Sequence, residues 1–574
     1  MVKNRPSSGA LILSLGKMAN WCGGKGKPNP LGWFHLAIWV GVVWAVAGWV
    51  MAENRSATQA ALESITTTDF CSHVAYLADD ALEGRLAGSP GAQAAAQYLA
   101  QHLAKWGLSP AGLNGSYFQP FGKGYRNVLA LLPGSDPELR KQVIVLGAHY
   151  DHIGRGEQGH SRGGVGQIHN GADDNASGTA GLLALAQAFS VLPEPPKRSV
   201  LFAFWDAEEL GVLGSKHWLA QPTLPNHQVV FMIGLDMIGR LRQEQLTIFG
   251  IRTGFGLRRL LSEQNQWVGL RLDFDWKLAP NSDHYSFIEK KIPALLFHTG
   301  LHEDYHRPTD DVERIHCEGM ATIVRFAFLT AWALANLEMV PGFREESAQE
   351  TPETLRAMLQ RRPVLPLRLG VVWSEQEFVG PGVRLVEVVP DMPAARAGLR
   401  PGDHLLRLNG QPLHSGPDLQ RHIMTAPGVV DLVVLRPGEE RLLEFRIDLS
   451  GEPMRLGLLW RPDEAEPGSA LVTYVAPGSP TDQAGIRPGD YIYQWEDQAW
   501  PTDQAELKNR LRSIRETVQL VVEREGRLRS ISVRLPLQPP SKTHPTAPTP
   551  SPKLSLDGSK IPSPLPSPLL HVAG

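Results

Sequence analysis

A length of 574 residues predicts about three or four domains, and 42% hydrophobic with 20% charged residues fits a globular protein with a large core. A formal net charge of −3 gives no electrostatic case for nucleic-acid binding, and no nucleic-acid motif is present. Three cysteines, Cys22, Cys71 and Cys317, are too few for a disulfide framework and lack zinc-finger spacing. A Cys71–Cys317 bridge and two free buried thiols both remain open.

Residues 1–31 form a basic segment with Lys3, Arg5, Lys17, Lys25 and Lys27 and no acid. The apolar run 32–52 follows, broken only by His35, with Trp33 and Trp49 near its ends. At about 1.5 Å per residue it reaches roughly 30 Å, enough to cross a bilayer core. The charge asymmetry places the rest of the chain outside the cytoplasm. It reads either as a single-pass membrane anchor or as a signal peptide cut near Ala47 or Ala52, leaving a secreted or periplasmic body.

One domain spans 69–340, with amphipathic helical patterning over 69–112 and alternating strand-like and helix-like segments over 126–338. This predicts an α/β domain with a mostly parallel sheet and helices on both faces. Four apolar runs, 143–148, 200–205, 229–235 and 294–299, read as buried strands. They lead into His149-Tyr-Asp151, Asp206-Ala-Glu208-Glu209, Asp236 and, further on, Tyr305-His306. Parallel sheets collect ligands at the strands' carboxyl ends, so one rim gathers two histidines and several carboxylates, the inventory of a metal site. Asp173, in Asn170-Gly-Ala-Asp-Asp-Asn-Ala-Ser-Gly178, has an oxygen for each of two ions, although such a loop equally suits a helix cap. Adjacent Glu208 and Glu209 after an apolar strand repel one another unless a cation neutralises them. Three carboxylates and a hydroxide balance two divalent ions and leave Glu208 as a free base. The nitrogen and oxygen donor set suits two zinc ions, with cobalt or manganese as substitutes. Asp283 reads as either a pocket residue or a helix cap.

A linker spans 341–364, with two small β-rich domains at 365–450 and 454–537 and a disordered Pro/Ser-rich tail at 538–574. The two small domains are a tandem repeat. Leu369-Gly-Val-Val-Trp373 recurs as Leu456-Gly-Leu-Leu-Trp460, and Ala397-Gly-Leu-Arg-Pro-Gly-Asp403 as Ala484-Gly-Ile-Arg-Pro-Gly-Asp490, both 87 residues on.

Gly147-Ala-His-Tyr-Asp-His-Ile-Gly154, Asn170–Thr179, Asp206-Ala-Glu-Glu-Leu-Gly211, Ser282-Asp-His-Tyr-Ser-Phe287 and Tyr305-His-Arg-Pro-Thr-Asp310 resemble the di-zinc exopeptidases that include bacterial leucyl aminopeptidases and aminopeptidase Y. The resemblance implies His149 and Asp236 on one zinc, Glu209 and His306 on the other, and Asp173 bridging, with a cis bond at Asp173–Asp174. It further implies Glu208 as general base, Asp151 supporting the ligands and Tyr305 stabilising an oxyanion. The expected activity is removal of N-terminal residues from peptides. The repeated modules resemble PDZ domains of bacterial envelope proteases, which bind C-terminal peptides or proteins by strand addition, and a spacer or docking role is an equal alternative. Two other readings are a glutaminyl-cyclase-like acyl transferase on the same fold, using one zinc, and a PDZ-centred peptide-binding adaptor.

Overall fold

The computed structural model describes residues 58–360, 367–374, 382–451, 453–501, 503–514 and 516–535. The basic segment and apolar span over 1–52 and the tail from 538 lie outside them.

Nine strands form the first sheet: β1 Ser109–Pro110, β2 Phe118–Phe121, β3 Tyr125–Leu132, β4 Gln142–His149, β5 Ser199–Trp205, β6 Gln228–Leu235, β7 Gln245–Phe249, β8 Arg271–Phe274 and β9 Ala294–His298. Their order is β1-β3-β5-β4-β6-β9-β7-β8, with β2 paired to β3. The four apolar runs are the central strands β5-β4-β6-β9, all mutually parallel. The flanks depart from a mostly parallel sheet. Strand β3 runs antiparallel to β5, and β7 antiparallel to β9, so the sheet is mixed.

Alternation along the strands divides the core into two layers. From β4, Ile144, Leu146 and Ala148 pack on one face, against the helices Pro90–Lys105, Gly178–Ser190 and Cys317–Asn336. Val143 and Val145 point to the other, where Trp205 meets Trp218 of the helix Leu213–Ala220 and Phe287 of the helix His284–Ile288. Removing one large ring from such a layer, as in Phe202→Ala, costs about 3–5 kcal/mol. The helix Cys317–Asn336 is long and apolar enough to span a bilayer, but 67% of its apolar window is buried in this core. Its first residue forms a disulfide with Cys71 of the helix Thr67–Leu77, with the Cα atoms 6.1 Å apart.

Two smaller antiparallel sheets follow. The first comprises β10 Val371–Trp373, β11 Val383–Val388, β12 His404–Leu408, β13 Gln411–Pro412, β14 Val429–Leu435 and β15 Leu443–Asp448. The second comprises β16 Leu458–Pro462, β17 Ala470–Val475, β18 Tyr491–Trp495, β19 Gln498–Ala499, β20 Thr517–Arg524 and β21 Arg527–Arg534. Their strand orders, β10-β11-β12-β14-β15 and β16-β17-β18-β20-β21, are the same, with the short β13 and β19 paired alike. The repeated Leu-Gly turn explains itself sterically. Gly370 and Gly457 have φ of 78° and 80°, and an added Cβ would lie 2.2 Å from Met392 Cβ or 2.1 Å from Ser479 Cβ. Glu496 in the second module shares the positive φ of Asn409 in the first, 54° against 49°, while Asp497 lacks the positive φ of Gly410, so the divergent Trp495-Glu496-Asp497 keeps a two-residue hairpin with a different second turn residue.

Candidate metal centre

Strand β4 ends at His149, which places its ring on the carboxyl rim of the parallel strands. His149 Nδ1 lies 3.2 Å from the carbonyl O of Asp151 and 3.7 Å from its Oδ1. On the other side, Nε2 faces Asp174 Oδ1 at 3.5 Å and Asp236 Oδ1 at 3.6 Å. These gaps are long for hydrogen bonds. They are close to the separation of about 3.3 Å between neighbouring ligands of a tetrahedral ion with ~2.0 Å bonds.

A second group sits beside the first. His306 Nε2 lies 3.0 Å from Asp174 Oδ2 and 3.3 Å from Glu209 Oε2, yet makes no hydrogen bond of acceptable geometry. Its Nδ1 is 2.9 Å from the carbonyl O of His160, so that nitrogen carries the ring's proton. The neutral ring therefore turns a lone pair toward two carboxylates, which is favourable only with a second proton or a metal cation between them. Burial alone would lower the His306 pKa, but Asp174 and Glu209 outweigh it and hold it up at about 11. Asp236 and Glu209 show the reverse. Burial works to raise both, while His149 for Asp236, and His152 with His306 for Glu209, leave them lowered.

Two sets of ligand atoms among the described residues are close enough to share an ion: His149, Asp174 and Asp236, and His152, Asp174 and Glu209. All are nitrogen or oxygen donors, buried or half-buried, so the residues present fit a pair of zinc ions.

The expectation for Asp173 is corrected. Asp174 stands between the two histidines, and the cis peptide joins Asp174 to Asn175. The Asp173 carboxylate is already held: Oδ1 accepts from Ser177 Oγ at 2.9 Å and from the Gly239 amide at 2.6 Å, and Oδ2 lies 3.1 Å from His302 Nε2. Two adjacent aspartates point apart, and the sequence alone does not say which one turns inward.

The remaining candidates converge on the same rim. Asp151 is fully buried, and its Oδ1 and Oδ2 accept the backbone amides of Glu208 and Glu209 at 3.0 and 3.3 Å, fixing the turn after β5. Burial raises the Glu208 pKa well above its ordinary value, with Asp283, Glu209 and Asp236 adding to the rise against His149. The Tyr305 ring stacks on His306 at 3.9 Å, and the Arg162 guanidinium lies 4.5 Å over the Tyr305 ring. A cavity of ≈ 400 Å³ joins Glu208, Asp236 and Tyr305 to Phe249, Asp275 and Leu301. A slightly larger cavity, ≈ 450 Å³, lies far from this chemistry between Arg259 and Tyr493. Asp283 makes no cap bond, and burial raises it to about 7.

Several contributors were not singled out from sequence. His152 Nδ1 holds Glu209 Oε1 at 2.8 Å, and Asp310 Oδ2 accepts the amides of Asp173 and Asp174 at 3.0 and 3.1 Å. The buried Arg85 guanidinium donates to the carbonyls of Leu77, Tyr150, Asn170 and Gly171, tying together the loops that carry the ligands. The available signal was weak: His152 lies in Gly147–Gly154 and Asp310 closes Tyr305–Asp310, Arg85 closes Leu82-Glu-Gly-Arg85, and nothing local marks their roles.

Residues 127–331 match Peptidase family M28, and residues 384–436 match the PDZ domain. Among curated relatives, Aminopeptidase YwaD of Bacillus subtilis is 28% identical over 188 residues, covering 31% of this chain and 37% of that protein. Leupeptin-inactivating enzyme 1 of Streptomyces exfoliatus is 33% identical over 117 residues, covering 20% and 23%. Leucine aminopeptidase 2 of Trichophyton rubrum is 27% identical over 183 residues, covering 30% and 33%. The matches thus span only about a quarter to a third of these relatives' length. Solved structures that match include the LapA aminopeptidase of Legionella pneumophila, 20% identical with a TM-score of 0.43, covering 50% of this chain and 75% of that one. The glutaminyl cyclase of Porphyromonas gingivalis is 18% identical with a TM-score of 0.39, covering 46% and 97%. The chain carries a peptidase family M28 domain followed by a PDZ domain.

Proposed function

We propose that the protein is a zinc aminopeptidase that removes N-terminal residues from peptides. The observation that carries this reading is Asp174 between His149 and His306, with Glu208 in the same cavity but in neither ligand set. His149 and Asp236 would hold one zinc ion and Asp174 both; at the other, Glu209 and His306 would be the ligands, because His306 Nε2 faces the Asp174 and Glu209 oxygens without a hydrogen bond while His152 Nδ1 is already bonded to Glu209. Bound there, the ions would acidify a water and polarise the scissile carbonyl. Glu208 takes the water's proton, which its raised affinity for protons favours, and delivers it to the leaving amine. Asp151 keeps the Glu208 and Glu209 backbones in place, and the Tyr305 hydroxyl donates to the carbonyl oxygen as it gains charge. Two ligand sets, rather than one, favour this reading over a single-zinc acyl transferase, and Glu208 beside them favours catalysis over an adaptor.

The apolar span at 32–52 supports export and membrane anchoring, with the catalytic domain outside the cytoplasm. The PDZ modules would recruit peptide or protein partners.

The test is Glu208→Gln assayed on a panel of aminoacyl chromogenic substrates. Turnover falls by about 10²–10⁴ while two zinc ions stay bound. Near-wild-type turnover removes Glu208 from the chemistry.

A further inference from the structure

Strand β8 is the edge of the peptidase sheet, and an uncovered edge invites pairing with other chains. Here the second module covers it. The Leu272 amide donates to the Glu525 carbonyl at 2.8 Å, in the hairpin between β20 and β21, and Asn265 Nδ2 donates to the Gly526 carbonyl at 2.8 Å. Glu466 of the same module accepts the amides of Arg258 and Arg259, in the first turn of the helix Leu257–Asn265, at 2.7 and 3.2 Å. These contacts make a polar, hydrogen-bonded seam between the two domains.

Two arginines of the peptidase domain pin this seam. Arg258 is 2.5 Å from Glu523, with its guanidinium 4.5 Å over the Phe274 ring and 4.3 Å over the Tyr491 ring. Arg252 makes paired bonds to two carboxylates: 2.7 and 2.8 Å to Glu350, and 2.5 and 2.8 Å to Asp463. Its guanidinium lies 4.0 Å over the face of buried Trp276. Trp276 sits between Asp275 and Lys277, and both of these line the cavity that contains Glu208, as do Ala279 and Asn281. A side chain from residue 463 therefore reaches the wall of the candidate catalytic cavity through one guanidinium and one indole.

We propose that the second PDZ-like module is a fixed buttress of the peptidase cavity, with Arg252 as the positioning residue that ties Asp463 to the wall 275–281 through Trp276. The module sets how well substrate is held and leaves the chemical step alone. The kinetic part of this inference rests on the aminopeptidase reading.

The experiment uses the full chain with Asp463→Asn, and with Trp276→Leu as a second variant that keeps the site apolar but removes the stacked face. Hydrogen exchange across 275–281 is read together with KM, kcat and bound zinc. The expected result is exchange at least about tenfold faster in that segment. KM rises about 5- to 20-fold, kcat stays within about twofold and zinc is unchanged. Should the wild-type protein cleave no peptide, the aminopeptidase reading fails while the exchange result still decides the buttress. Unchanged exchange at 275–281 in both variants, or faster exchange with an unchanged KM in an active enzyme, overturns the proposal.

Discussion

The two PDZ-like modules share an internal frame and differ on one outer face. Arg368 in the first donates to the carbonyls of Ile423 and Ala426, and Arg455 in the second to those of Leu511 and Ile514, closing the end of the long helix in each. Arg436 pairs with Asp403 at 2.8 and 2.9 Å, and Arg524 with Asp490 at 2.6 and 2.7 Å. Where the second module presents Tyr491, Tyr493 and Glu523, the matching positions of the first hold His404, Leu406 and Leu435. Only the second can supply a carboxylate and two aromatic faces to the peptidase arginines. Among the described residues, no comparable ionic network joins the first module to the peptidase domain. Both copies keep the residues that fold a module, and they differ at the positions where the second meets the peptidase arginines.

The largest effect should come from Glu523→Ala. It leaves the Arg258 guanidinium in the seam without its carboxylate, a loss of about 3–5 kcal/mol in a denaturant titration. A change under about 1 kcal/mol would mean that the seam does not depend on the ion pair. Giving the second module the first module's face, by Tyr491→His with Tyr493→Leu, removes the hydroxyl bond to Asp463 and the ring beneath Arg258. About 1–3 kcal/mol should be lost, and exchange in the β20–β21 hairpin should rise. Wild-type protection there would show that the two faces are interchangeable.

Acid should produce the smallest effect. Burial works to raise the Glu350 pKa, but hydrogen bonds from Arg252 and Arg344 outweigh it and hold it down to about 2, against an ordinary value of 4.5. Because the folded value is depressed, this stabilisation is complete above about pH 4.5 and is lost as pH falls toward 2. Exchange protection in the seam, taken relative to the intrinsic rate at each pH, should fall over that window in the wild type and much less in Glu350→Gln. An equal fall in both would assign the acid effect to other groups.

What the sequence made legible follows from range. Strands β4, β5, β6 and β9 were readable because each is a continuous apolar run, and their parallel pairing put His149, Glu208, Glu209 and Asp236 on one rim. The choice between Asp173 and Asp174 depends on a single backbone turn stabilised by Asp310, which lies 136 residues from Asp174, and no local pattern encodes it. The docking seam was invisible for the same reason. Arg252 and Asp463 are 211 residues apart, and each alone reads as an ordinary surface charge. Strand β3 is as long as β4 and carries the buried run Val128–Leu131, but an apolar run does not encode strand direction, so its antiparallel pairing with β5 and that of β7 with β9 gave no signal.

We propose that Asp174 joins two metal sites. Zinc bound per chain, measured by mass spectrometry after dialysis against trace metal, tests it most directly in the wild type, Asp173→Asn and Asp174→Asn. Two ions in the wild type and fewer than two in Asp174→Asn, with Asp173→Asn the less affected of the pair, is the predicted result. A wild type that binds at most one ion, or an Asp174→Asn protein that still binds two, would contradict it.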